Sequence, residues 1–156
     1  MKIEPIASGI RIVTNRGKLH VTRPSTHVEL VRAEGYADGP VVDLILEQRD
    51  EILRAHGRIA LFDDLEGMTG YDSVVRTTLT EWSRVHKSEI VAFHILTRTR
   101  IAAMGVTVAN LALGGHIRVH VRRESFEQAL AEYVKTQGGP QSSERPSVSA
   151  RASGER

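Results

Sequence analysis

The chain contains no cysteine. That excludes a disulfide scaffold, a thiol nucleophile and cysteine-based zinc or iron–sulfur sites. It also lacks any apolar run near the roughly 20 residues of a membrane span. Met1 to Ile10 has no apolar h-region, so no signal peptide is expected. The expectation is a cytoplasmic protein with no membrane span. The Gly-x-Ser-x-Gly nucleophile pattern is absent, and Gly67-Met-Thr-Gly70 is too short for a phosphate loop. Charge of one sign is scarce as well. The net charge is +2 despite a pI near 9.2, and residues 138–156, with three Arg and two Glu, hold +1 of it. A nucleic-acid binder concentrates Lys and Arg on one face, so no nucleic-acid partner is expected.

What is present suits an ordinary globular domain. The 156 residues, 40% of them hydrophobic, suffice for one domain with a sizeable core. Ile10 and Ile12, then Leu19 and Val21, alternate with polar residues around Asn15-Arg16-Gly17, which predicts a β-hairpin. Pro24 should end its second strand. A third strand is expected over 27–33, followed by a break from Gly35 to Gly39. Pro40 opens a helix whose stripe is Val41, Ile45 and Ile52, with Gly57 closing it. Arg58 to Phe62 reads as a buried strand, and Asp63 to Ser73 as a polar loop at its carboxyl end. Val75, Leu79 and Trp82 mark the next helix, and 89–96 a strand covered on both faces. Ile101, Met104, Val108 and Leu111 mark a third helix, closed by Gly114-Gly115, and Met104 is expected in the core. His116 to Val121 alternates as a strand. Ser125 with Gln128 suggests a capping box for a last helix with Phe126 and Tyr133 on its apolar stripe.

The order predicted is β-β-β-α-β-α-β-α-β-α. It implies an α/β fold: a mixed β-sheet with an N-terminal antiparallel hairpin and four helices packed on the sheet. One domain is expected over 1–137, with the hairpin in 1–24 and the core in 27–137. Residues 138–156 have almost nothing apolar to bury and are expected to be a disordered tail.

Several local patterns resemble one family. They are Val28-Glu-Leu-Val-Arg-Ala-Glu-Gly35, then Ile59-Ala-Leu-Phe-Asp-Asp-Leu-Glu-Gly67, close to a strand-Asp-Leu-x-Gly pattern, and Ser125-Phe-Glu-Gln-Ala-Leu-Ala-Glu-Tyr133. Through them, residues from about 27 to 136 resemble the STAS superfamily, and within it the sporulation stage II AA-like proteins, which border the CRAL-TRIO lipid-transfer fold. The resemblance implies a non-catalytic protein-interaction or regulatory module with a protein partner and no cofactor. In anti-sigma-factor antagonists the matching helix begins Asp-Ser-Ser-Gly and its first Ser is phosphorylated. Here Asp72 and Ser73 match, but Val74-Val75 follow. Asp72-Ser73 or Thr69 also reads as a plain helix cap.

The interaction or regulatory surface expected is therefore Asp63, Asp64, Thr69, Asp72 and Ser73. Asp63-Asp64-x-Glu66 lacks the spaced oxygen ligands of a cation loop, and no metal is expected. Arg98, Arg100, Arg122 and Arg123 follow strand ends on the carboxyl side, where they could hold an anion or serve as helix-start charges. His116 and His120 share a face of their strand, but no carboxylate completes a site, and both read as satisfied histidines. The alternative function is a small-ligand binder, for a lipid, nucleotide or anion, between helices and sheet, with the lightly built 101–113 helix as its door. A homodimer through the N-terminal hairpin edge is also open.

Overall fold

The computed structural model describes residues 1–137. Seven strands lie in one sheet in sequence order. β1 (Lys2–Ile6), β2 (Gly9–Val13), β3 (Gly17–Ser25) and β4 (Val28–Ala37) form an antiparallel meander. Then come α1 (Pro40–His56), β5 (Ile59–Tyr71), α2 (Ser73–Val85), β6 (Ile90–Leu96), α3 (Arg100–Ala112), β7 (Arg118–His120) and α4 (Arg123–Gln137). The pairs β4–β5, β5–β6 and β6–β7 are parallel.

This order decides where the helices go. Three successive crossovers step in one direction along the sheet. Right-handedness then sends α1, α2 and α3 to the same face. α4 follows the last strand and folds back over the other face. Side chains alternate accordingly. Ile59, Leu61, Phe93 and Ile95 pack with α1–α3, while Ala60, Phe62 and Leu96 pack with Phe126 of α4. The parallel strand order never reverses, so the crevice that a reversal opens in many α/β proteins does not exist here.

The structure departs from the sequence expectations in several places. A strand, β1, precedes the hairpin and covers the edge of β2, so the free edge at this end is β1 itself. Pro24 lies inside β3, at a register shift between Thr22 and Ser25 that spares the ladder its missing N–H. The expected break at Gly35 is a bulge. Gly35 takes φ 76°, which other residues rarely adopt, and β4 continues to Ala37. The largest difference is at Asp63 to Tyr71, which is no loop. It is the second half of a 13-residue strand, and beyond Asp64 it pairs only with the end of β4. The strand at 116–121 shrinks to Arg118–His120. Helix α4 starts at Arg123, so Ser125 lies within its first turn and makes no capping box. Gly57 and the Gly114-Gly115 pair close their helices in the left-handed region as expected. The tail expected over 138–156 lies outside the described residues.

Candidate functional site

The sequence places Asp63 and Asp64 on a solvated loop, whereas both are buried in β5, at 7% and 4% exposure. Strand alternation sends them to opposite faces. Asp63 points toward α1, where it meets Arg49 and Glu29. Arg49 donates from Nε to Glu29 Oε1 at 2.7 Å and from Nη2 to Asp63 Oδ1 at 3.1 Å. All three are removed from water. Burial, reinforced by Asp63 and opposed by Arg49, pushes the Glu29 carboxyl up to about 7. Burial also raises Asp63 against the pull of Arg49. Glu29 Oε2 and Arg49 Nη1 have no hydrogen-bond partner among the described residues. Sequence reading missed Glu29 and Arg49. A charged residue on the otherwise apolar stripe Val41–Ile45–Ile52 was the available signal.

Asp64 points the other way, into a network at the carboxyl ends of the parallel strands. Arg123 donates from Nη2 to Asp64 Oδ2 at 3.0 Å, and the Glu66 N–H donates to Asp64 Oδ1 at 3.2 Å. Glu66 takes an ion pair from Arg98 at 2.6 Å. Burial works against the charge of Arg123, but hydrogen bonds to Asp64, Glu127 and Glu66 outweigh it. So two of the four arginines read as an anion site are occupied by carboxylates. Arg100 and Arg122 join no ion pair among the described residues. The expected cluster of four is an internal charge balance made by Arg98 and Arg123.

Asp72 occupies the cap position of α2, yet its side chain makes no bond to that helix. Its carboxylate serves the start of α1 instead. It accepts from the Gly39 N–H at 3.0 Å and from the Tyr36 hydroxyl at 2.9 Å. The Tyr36 hydrogen bond and then the Gly39 N–H hold Asp72 below the usual carboxylate range. Thr69 and Ser73 are exposed, Ser73 as the first residue of α2.

The histidines are used on the α4 face. His116 precedes β7, so the expected pair with His120 does not form. His120 meets His94 instead, Nε2 to Nδ1 at 2.9 Å, and its Nδ1 lies 2.9 Å from Ser125 Oγ. His94 stacks flat on Phe62, at 4.6 Å between ring centroids. Burial first, then the neighbouring His120, holds His94 down to about 4. Ser125 donates its proton to the Arg122 carbonyl at 3.0 Å, which leaves it no general base. The chain is a way of satisfying buried rings. Among the described residues no group of three or more His, Asp or Glu could hold a metal ion.

Two apolar features remain. A cavity of about 100 Å³ lies between the sheet and α1–α3, walled by Val31, Leu65, Leu79, Ile95, Val106 and Leu113, with Arg49 and Asp63 to one side. The other is on the outside of α3. Of the stripe Ile101, Met104, Val108 and Leu111, the sequence pattern expects Met104 in the core. These residues are 54%, 69%, 49% and 78% exposed. The core side is built from small residues, Ala102, Gly105 and Ala109, with Val106. Gly105 permits this. A Cβ there would stand 2.3 Å from the Tyr71 hydroxyl. The helix thus turns its smaller side inward and its larger apolar side to solvent.

An α/β sheet with this strand order and these helices is a SpoIIAA-like, STAS-type fold. Among solved structures the chain is similar to an uncharacterised protein from the DUF3478 family, from Shewanella loihica PV-4, described as having a SpoIIAA-like fold. The TM-score is 0.57 at 13% identity, over 76% of this chain and 98% of that one. This likeness shows the fold. No protein-family profile and no curated protein matches the chain. No helix among the described residues is long and apolar enough to cross a membrane.

Proposed function

We propose that this protein is a non-catalytic interaction module that binds a protein partner, and that its working face is α3 with the adjoining edge strand β7. The observation that carries this is the exposed stripe Ile101–Met104–Val108–Leu111. Scattered exposed apolar residues are normal, but a contiguous stripe marks a surface that something covers. The face replaces Asp63 and Asp64, whose burial removes them from any partner. The SpoIIAA-like fold supports a module without catalysis, and Ser125, Asp63 and Asp64 are each committed to contacts that leave no reacting constellation. The test is affinity capture from cells with wild type and a Met104→Gln/Leu111→Gln double variant. A protein retained by wild type and lost by the variant supports the reading. The same proteins on both would sink it.

Ser73 is proposed as a regulatory position at the same carboxyl edge. It is exposed, and a phosphate there would meet the free N–H groups at the start of α2. Unmodified Ser73 in protein isolated from its native cells, read by mass spectrometry, would argue against it.

A second reading, a small apolar ligand between helices and sheet, is favoured by the 100 Å³ cavity. A largely apolar cavity of this order accepts a small hydrophobic molecule. Native mass spectrometry would show added mass on the intact chain, and a bare mass would count against this second role.

A further inference from the structure

Between Glu89 and Glu124 the chain holds no acidic residue, while Arg98, Arg100, Arg118, Arg122 and Arg123 all fall inside that interval. The interval builds β6, α3 and β7. Arg98 is paired with Glu66, and Arg123 with Asp64, Glu66 and Glu127, so the cationic rim of the exposed apolar face is Arg100, Arg118 and Arg122, which join no ion pair among the described residues. β7 is the last strand of the sheet and its outer edge is unpaired among the described residues. The His120 carbonyl accepts from the Thr97 N–H at 3.0 Å. The main-chain groups of the neighbouring Val119 therefore face the open edge. A groove of about 340 Å³ runs between this edge and α3, lined by Val106, Val119 and Val121 with Arg98 and Arg100 at its mouth. Val119 and Val121 are 45% and 70% exposed. Arg118 alternates to the His120 side, toward α4, and Arg122 follows the strand; both are exposed.

We propose that this face receives an extended acidic–apolar protein segment, which adds to β7 as an eighth strand. The proposal rests on the α3–β7 face being the working surface. The open edge supplies main-chain hydrogen bonds, and the two sides of the incoming strand meet different chemistry. Side chains facing α3 enter the Val106–Val119–Val121 groove and should be apolar. Those facing α4 meet Arg118 and Arg122 and should be Asp or Glu. Two other occupants fit less well. A second copy pairing through β7 would bring arginine against arginine, and the other free edge, β1, offers Lys2 and the donorless Pro5. A membrane would cover a strand edge with hydrocarbon that has no hydrogen-bond partner to give.

The experiment titrates isotope-labelled full-length protein with a synthetic peptide in which Glu alternates with Val. Two control peptides carry Lys for Glu, or a central Pro. Sedimentation with phosphatidylglycerol vesicles and light scattering run alongside. The expected result is saturable amide shifts confined to α3, β7 and the groove, seen with the Glu–Val peptide and with neither control. An Arg118→Glu/Arg122→Glu variant should bind about tenfold more weakly or worse, because two attractions become repulsions. Equal binding of the Lys or Pro peptide overturns the proposal. So does sedimentation with vesicles or self-association in the absence of peptide binding. If Met104→Gln/Leu111→Gln loses its cellular partner but wild type ignores the Glu–Val peptide, the acidic strand is wrong and the face stands. If the double variant keeps every partner, the face is wrong and both readings fall.

Discussion

The two faces of the sheet solve the problem of buried polar groups in opposite ways. Toward α1–α3 the strands bury charge: Glu29 and Asp63 around Arg49. Toward α4 they enclose imidazoles whose charged form burial disfavours: half-buried His94, and buried His120 and His27, the last 3.0 Å from the Tyr133 hydroxyl. The difference appears in how each face responds to protons. The carboxyl of Glu29 is raised to about 7, so in the folded state it keeps a proton that the unfolded chain has already lost. Its contribution is present at low pH and is lost as pH rises to about 7. His94, held down to about 4, stays neutral where the unfolded chain is charged. Its contribution is present above the ordinary histidine range and is lost as pH falls toward 4. One sheet therefore carries two titrations of opposite sign over nearly the same window. Buried charge and buried imidazole offset each other, which flattens the stability profile at mildly acidic pH.

The comparison can be broken most severely at Arg49. Arg49→Met leaves two buried carboxyls without their cation and should cost ~3–5 kcal/mol in chemical denaturation. A Glu29→Leu/Arg49→Met/Asp63→Leu triple variant should recover most of that loss, because no uncompensated charge is left. On the opposite face, Phe126→Ala removes the ring that packs edge-on against Phe62 and should cost ~3 kcal/mol. The loss at Arg49→Met should shrink as the carboxyls protonate.

Smaller effects sharpen the contrast. Glu29→Gln keeps an acceptor for Arg49 and removes the titration. It should raise stability at pH 8 by roughly 1–3 kcal/mol and abolish the decline between about pH 5 and 7. His94→Phe keeps the stack on Phe62 and should remove on the order of 1 kcal/mol of the acid-side loss, seen in melting curves between pH 4 and 6.5. The smallest effect is expected on α3. Met104→Gln/Leu111→Gln should stay within about 0.5 kcal/mol of wild type, since those side chains have little left to lose to solvent. A loss of several kcal/mol there would mean that the stripe is core after all.

The last point shows where periodicity stops being informative. The spacing of Ile101, Met104, Val108 and Leu111 says helix, and a helix is found. It says nothing about which side faces the sheet when the opposite side, Ala102, Gly105, Val106 and Ala109, is apolar too. The choice falls to Tyr71, whose ring leaves room for no side chain at Gly105. Of the candidate site residues, exposure at Thr69 and Ser73 agrees with their reading as surface positions, and the position of Asp72 at the start of α2 was legible too. What Asp72 does there was not, because its partners Tyr36 and Gly39 lie over 30 residues away in sequence.

The sequence by itself determined the four helices and most of the strands, though neither β1 nor the second half of β5, together with the mixed sheet, the helix ends at Gly57 and Gly114-Gly115 and the absence of thiol chemistry. These depend on local φ/ψ preference, on the period of apolar residues and on composition. Only the tertiary structure decided that Asp63 to Tyr71 is strand, that Asp63 and Asp64 are buried on opposite faces and that α3 shows its larger side to solvent. Each of those depends on a partner brought from elsewhere in the chain: Arg49 and Arg123 for the carboxylates, the end of β4 for the strand, and Tyr71 for the helix. A buried charge or an outward Leu is stable or not according to what stands beside it, and neighbours in space are what a linear pattern does not list.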